Sequence, residues 1–229
     1  MIEAPTVLSK TDIERKLENE ISMLYGILQP TEEQMINLLN TYQEFNSIVS
    51  LVMERIGLKF DLIIYGSSVN GLALRGDSDL DLSLVVHDLP ELASMQEQEL
   101  SVRRLLESVA SAIRTEPRFA SRFKLTQGEL QVTSFGYLMQ VRDTAFETDI
   151  DLSVNKILDP YNSSLIQTYS RLDERFHKLA LVLKQWNKMR FEQKNERLNS
   201  YSIVLLLIAY LQHKKVLPCL QQINRKDGD

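Results

Sequence analysis

Residues 79–86, Asp-Leu-Asp-Leu-Ser-Leu-Val-Val, begin as a strict alternation of acidic and apolar side chains. Successive side chains of a strand point to opposite faces. Asp79 and Asp81 therefore share one face, and Leu80, Leu82, Leu84 and Val86 share the other. The apolar row requires a core. The acidic row requires a cation, because two carboxylates at this spacing repel unless positive charge lies between them. Oxygen ligands of this kind suit magnesium. Alone, an Asp-x-Asp is more often a polar strand end in solvent, so its meaning rests on its neighbours.

Those neighbours are informative. Ile63-Ile64-Tyr65 is a β-rich run that ends in Gly66-Ser67-Ser68, a small turn that can lead into a short helix. Such a turn offers backbone N–H groups and hydroxyls to an anion such as a triphosphate. Gly66-Ser67 followed at this distance by Ser78-Asp79-Leu80-Asp81 is a much stronger signal than either piece.

Periodicity predicts helices over 11–27 and 32–57, with Thr11 and Thr31 as N-caps, and strands over 60–65 and 79–86. A helix is expected over 91–115 and strands over 129–141 and 145–154. Helices follow at about 162–190 and 200–212. The order predicts N-terminal helices (1–57) that pack with a C-terminal helical region (159–229), and a mixed α/β domain (58–158) inserted between them.

Composition excludes several classes. A net charge of −5 argues against a protein that coats nucleic acid by bulk charge, although Arg171–Arg197 holds eight cations against four anions. One cysteine, Cys219, forms no intramolecular disulfide and fits a reducing compartment. The first residues lack a signal-peptide layout, and the apolar run Ile203–Leu211 is half a membrane span. A cytoplasmic or nuclear protein without membrane attachment is expected.

Gly66-Ser67-Ser68-Val69-Asn70-Gly71-Leu72, Arg75 and Asp77-Ser78-Asp79-Leu80-Asp81 together resemble the signature of the polymerase-beta-like nucleotidyltransferase superfamily. Within it the chain looks most like terminal uridylyltransferases and the related RNA-tailing poly(A) polymerases. A second block, from Tyr169 through Leu172-Asp173, Arg175, Leu179, Lys184, Trp186 and Lys188, is similar to the same enzymes. A third, Asn199-Ser200-Tyr201-Ser202, opens the next predicted helix. The resemblance covers about 60 to 220.

The resemblance implies an α+β fold: a nucleotidyltransferase domain with a mixed sheet and flanking helices, inserted in a mostly helical domain. Family members continue past Asp229, which implies that the helical domain is incomplete here. It also implies a third carboxylate on a neighbouring strand. Asp149 and Asp151 share a strand face, and the family pattern of aspartate followed four positions later by asparagine fits Asp151 with Asn155. Asp79, Asp81 and Asp151 would then bind Mg2+, with Mn2+ as the alternative, and carry catalysis.

Nucleotide contacts implied by the family are Gly66, Ser67, Lys184, Lys188 and Ser200 for phosphate, Asn162 for ribose and Tyr201 for the base. Helix geometry places Lys184 and Lys188 one turn apart, with Leu179, Val182, Leu183 and Trp186 expected on the opposite, anchoring side. The implied activity is template-independent nucleotide addition to an RNA 3′ end, with UTP first and ATP second. An accessory RNA-binding or RNA-processing protein is an expected partner. A small-molecule or oligonucleotide-messenger nucleotidyltransferase has no reason to carry Lys184-x-Trp186-x-Lys188, and an inactive scaffold has no reason to keep every carboxylate.

Overall fold

The computed structural model describes residues 9–77, 79–87, 95–126, 130–133, 136–191 and 193–222. They form two compact units. One is Pro30–Gln167; the other draws on residues up to Gln29 and from Thr168 onward.

The larger unit opens with α2 (Glu32–Ile56), which follows α1 (Lys10–Leu28) in the chain. Thr31 caps α2 as expected, its hydroxyl accepting from the Gln34 N–H at 3.1 Å. Then come β1 (Phe60–Tyr65), a single turn α3 (Ser67–Asn70), β2 (Asp79–Val86), α4 (Met95–Thr115) and a short α5 (Pro117–Ala120). Four strands follow: β3 (Phe123–Leu125), β4 (Gln131–Thr133), β5 (Gly136–Asp143) and β6 (Thr148–Val154). The sheet order is β1-β2-β6-β5-β3, with β4 also on β5. Among the described residues only β2 and β6 run parallel, so the sheet is mixed.

One face of this sheet is apolar. Leu80, Leu82 and Leu84 of β2, Ile150 and Leu152 of β6, and Met139 and Val141 of β5 are buried with Phe45, Ile48 and Met53 of α2 and Leu106, Val109 and Ile113 of α4. The other face carries the polar members of the same strands, as the alternation over 79–86 requires.

A buried charge pair ties α2 to the end of β5. The Asp143 carboxylate receives Nε and Nη2 of Arg122 at 2.9 and 2.7 Å, the Thr41 hydroxyl at 2.7 Å and the Ala145 N–H at 2.9 Å. Burial pushes the Asp143 pKa up, but these donors outweigh it and hold the carboxyl below its ordinary value.

In the smaller unit α1 packs on α7 (Glu174–Arg190), where Tyr25 Oη lies 3.1 Å from His177 Nδ1. α8 (Ser200–His213) packs on α7 through buried Ile203, Leu207 and Leu211 among others, and the Asn187 amide donates to the Leu198 carbonyl at 2.8 Å. α6 (Leu158–Leu172) precedes α7 in the chain and spans the division between the two units, which falls after Gln167. Pro160 sits in its first turn, where no N–H donor is needed.

Several expectations change. The expected helix over 162–190 is two helices, because Asp173 adopts an extended backbone and caps α7 by accepting the Arg175 N–H at 2.8 Å. α1 is capped by Ser9, not Thr11, through the Asp12 N–H at 3.2 Å. The strand expected over 145–154 starts at Thr148, after a turn at 144–147. The strand expected over 129–141 divides into β4 and β5; residues 129 and 134–135, and residues 91–94 of the expected helix, lie outside the described residues. By compactness α2, which contributes its apolar side to the sheet, groups with the larger unit, and α1 groups with the smaller one.

Asp143→Asn should destabilise the protein by about 3 kcal/mol at neutral pH, because it leaves Arg122 facing a neutral amide. A depressed acid contributes stability above its unfolded pKa, about 4, and loses it as pH falls through the folded value. Urea unfolding at pH 7 and pH 3 should therefore show the wild-type advantage shrinking in acid. An advantage of equal size at both pH values would contradict this account of the network.

Candidate active site

Strand register assembles the acidic face. Across β1, β2, β6 and β5 the cross-strand partners are Tyr65, Asp81, Asp151 and Gln140, all on one face. The next row toward the start of β2 is Asp79, Asp149 and Arg142. Adjacent strands lie about 4.8 Å apart. Two carboxylates on parallel neighbours at that separation repel by about 3 kcal/mol at an effective dielectric of 20.

This repulsion is visible in Asp81. Burial, then Asp151, then Asp79 push its pKa up to about 7. Lys156 opposes the shift and Asp159 adds to it. Tyr65, beside Asp81, is pushed up to about 12, chiefly by burial, and so stays neutral. Its hydroxyl is 3.4 Å from Ser153 Oγ.

The competition between Asp149 and Asp151 has a geometric basis. Asp149 pairs with Arg142, its own cross-strand partner, at 2.7 Å. Asp151 lies in register with Asp81 and accepts one hydrogen bond from the Gln140 amide at 2.9 Å. Asn155, four residues on, has a left-handed backbone (φ 53°), and its side-chain oxygen accepts the Val86 N–H at 2.9 Å. It fastens the far end of β6 to β2.

Gly66 makes close approach possible. A Cβ built there would lie 2.0 Å from Oδ2 of Asp81, and its φ of 78° with ψ of −156° is a glycine conformation. The Asp81 carboxylate occupies the space that a side chain would fill. Ser163 of α6 accepts the Gly66 N–H at 2.8 Å and donates to the Asp159 carbonyl at 2.9 Å, so the loop is anchored to a helix. Ser67 is the first residue of α3, and Asn162 is half-buried in α6 immediately before Ser163.

Lys184, Lys188, Ser200 and Tyr201 belong to the helical unit. The expected faces of α7 are corrected here. The buried stripe is Phe176, Ala180, Leu181, Lys184 and Asn187, while Trp186 is 54% exposed and packs edge-on against Phe191. Lys184 thus lies along the buried side and Lys188 is exposed. The reason is the spacing 176-180-184-187, which puts Lys184 in line with Phe176. Asn199 caps α8 through the Ser202 N–H at 2.7 Å, leaving Ser200 exposed in the first turn. Tyr201 is 41% exposed, outside the core.

Among the described residues, no group of three or more His, Cys, Asp or Glu side chains is already gathered for a metal. The donor chemistry nevertheless fits one: hard oxygens, an acid raised by burial and then by its acidic neighbours, and a glycine cradle that brings it close. Sequence reasoning missed Tyr65, Gln140, Arg142 and Ser163, whose roles come from strand pairing and helix placement.

Residues 17–171 match the family model for the poly(A) RNA polymerase, mitochondrial-like, central palm domain. The chain is 29% identical over 224 residues to poly(A) RNA polymerase GLD2 of Homo sapiens, covering 96% of this chain and 44% of the relative. It is 32% identical over 165 residues to poly(A) RNA polymerase GLD2-B of Xenopus laevis, covering 70% of this chain and 30% of the relative. It spans less than half the length of these two relatives. Its fold matches the poly(A) polymerase complex GLD-2–GLD-3 with a TM-score of 0.75 at 25% identity, covering 91% of this chain and 63% of the other. It matches the Cid1 poly(U) polymerase bound to MgGTP with a TM-score of 0.70 at 18% identity, covering 86% and 56%. The expected fold class holds: an α+β chain with a mixed sheet, flanking helices and polymerase-beta-like nucleotidyltransferases as structural neighbours. The palm-domain match over 17–171 makes this chain a member of the RNA-tailing nucleotidyltransferase family.

Proposed function

We propose that the chain carries the catalytic carboxylates of an enzyme that extends RNA 3′ ends without a template, joining AMP from ATP to the terminal hydroxyl and releasing pyrophosphate. The observation that carries this reading is the register of Asp81 with Asp151 across parallel strands, with Asp79 two residues back on the same face. ATP takes first place because the named relatives are poly(A) RNA polymerases. UTP, favoured by the likeness of the Gly66–Gly71 motif and the Tyr169–Lys188 block to uridylyltransferases, is the second reading, and the likeness to a poly(U) polymerase supports it.

Asp79, Asp81 and Asp151 are the residues that would hold magnesium. Magnesium held there would supply charge stabilisation for the entering and leaving oxygens of the transfer. The protein contributes position and charge, the main contributions open to it in phosphoryl-type transfer. Gly66 lets the loop backbone close on the Asp81 carboxylate, and Ser163 keeps it there. Ser67 and Asn162, on elements joined through the Gly66–Ser163 bond, are the proposed phosphate and ribose contacts. In the helical unit, exposed Lys188 and Ser200 and the buried Lys184 are proposed for phosphate. Tyr201 is proposed as the base platform, because a π face accepts any base.

Choice of RNA is assigned to an accessory protein, a reading supported by structural relatives solved as GLD-2/RNP-8 and GLD-2–GLD-3 complexes. Among the described residues no helix is long and apolar enough to cross a membrane.

Asp79→Ala and Asp81→Asn should each lower RNA extension about a thousandfold, the loss of several kcal/mol of charge stabilisation. Gel analysis of labelled RNA with each nucleotide supplied separately reads this and the ATP preference together. Extension by Asp79→Ala at the wild-type rate would remove the assignment. Gly66→Ala should cost about a hundredfold in rate through displacement of the Asp81 carboxylate by roughly 1 Å. A fully active Gly66→Ala protein would show that this close approach has no catalytic use.

A further inference from the structure

Beyond the three acids, the polar face holds a hydrogen-bond relay that no carboxylate completes by itself. Gln140 Nε2 donates to Asp151 Oδ1 at 2.9 Å, and Gln131 Nε2 donates to Gln140 Oε1 at 2.7 Å. Gln140 is the β5 partner of Asp151, while Gln131 stands on β4, on the opposite side of β5 from β6. Both side chains are half-buried.

The direction of this relay is fixed by chemistry. An ionised carboxylate only accepts, so the Gln140 amide must turn its nitrogen to Asp151 and its oxygen away. The Gln131 amide meets that outward oxygen with a donor and opposes a flip of Gln140. A neutral donor at one oxygen fixes the Asp151 carboxylate without cancelling its charge. Asp149 offers the contrast, since Arg142 neutralises it with a full positive charge at 2.7 Å.

We propose that Gln140, held by Gln131, is a positioning residue that orients the Asp151 carboxylate for metal binding and leaves its negative charge available. The inference rests on the reading of Asp151 as a metal-binding carboxylate. Outer partners of metal ligands commonly affect affinity or activity by about 10–100-fold.

The test uses the full chain with Gln140→Leu, Gln131→Met, the double variant and Asp151→Asn. Mn2+ binding without RNA or nucleotide is followed by the electron paramagnetic resonance of the free ion, alongside kcat, KM for ATP and thermal melting. Gln140→Leu should weaken Mn2+ binding about tenfold and lower kcat about 10–100-fold, with KM and melting temperature near wild type. Gln131→Met, farther from the acids, should move both readouts the same way by less. The double variant should be no worse than Gln140→Leu, because the two glutamines act in series. Wild-type Mn2+ affinity and kcat in Gln140→Leu would overturn the inference, as would additive losses in the double variant. Loss of activity in Asp151→Asn with no effect in Gln140→Leu would place the failure in this inference alone. Full activity in Asp151→Asn would place it in the underlying assignment.

Discussion

The contact on which the site depends is unfavourable by itself: two like charges held side by side on parallel strands. Asp81 and Asp151 are cross-strand partners because β2 and β6 pair in a single register, and the pKa of Asp81 records the cost, with burial as the larger contributor. The apolar side of the same strands fixes that register. A one-residue slip would carry Leu80, Leu82 and Leu84 out of the core and onto the acidic face. Hydrophobic burial thus stabilises an arrangement that electrostatics opposes.

The same economy of position governs the rest of the polar face. Each acid has a different partner and hence a different character. Asp149 has a guanidinium, Asp151 a neutral amide, Asp81 a glycine backbone and two acidic neighbours, and Asp143 a buried network of four donors. Asp143 behaves as a structural acid with a depressed pKa, whereas Asp81 is raised to about 7. These opposite shifts arise within one sheet, from what each carboxylate touches.

How much could be read in advance follows from the range of the interactions. The β2 alternation, the Thr31 cap and the Gly66-Ser67 turn depend on near neighbours, and the sequence displays them directly. The pairing of Asp149 with Arg142 depends on β5 lying against β6, which no local spacing encodes. Ser163 escaped notice beside Asn162 for a similar reason: its partner, Gly66, is far away in the chain. On α7 the hydrophobic pattern misleads, because a lysine occupies a place in the buried stripe and a tryptophan stands exposed. Charge and size there gave the wrong side of the helix. The break at Asp173 was missed because its capping carboxylate sits within an otherwise continuous helical pattern.

Asn155 gives the parallel pair a mechanical polarity. Its backbone N–H reaches the Leu84 carbonyl at 2.9 Å while its side chain takes the Val86 N–H, so β2 and β6 are riveted at one end. The acidic rows lie toward the other end, where Asp79 and Asp149 begin the pairing. The carboxylates thus sit at the opposite end of a strand pair whose register runs unbroken from Asp79 and Asp149 to Leu84 and Val154. Because β1 and β5 pair with the outer edges of these two strands at the acidic rows, the separation of Asp81 from Asp151 is held by the sheet as a whole.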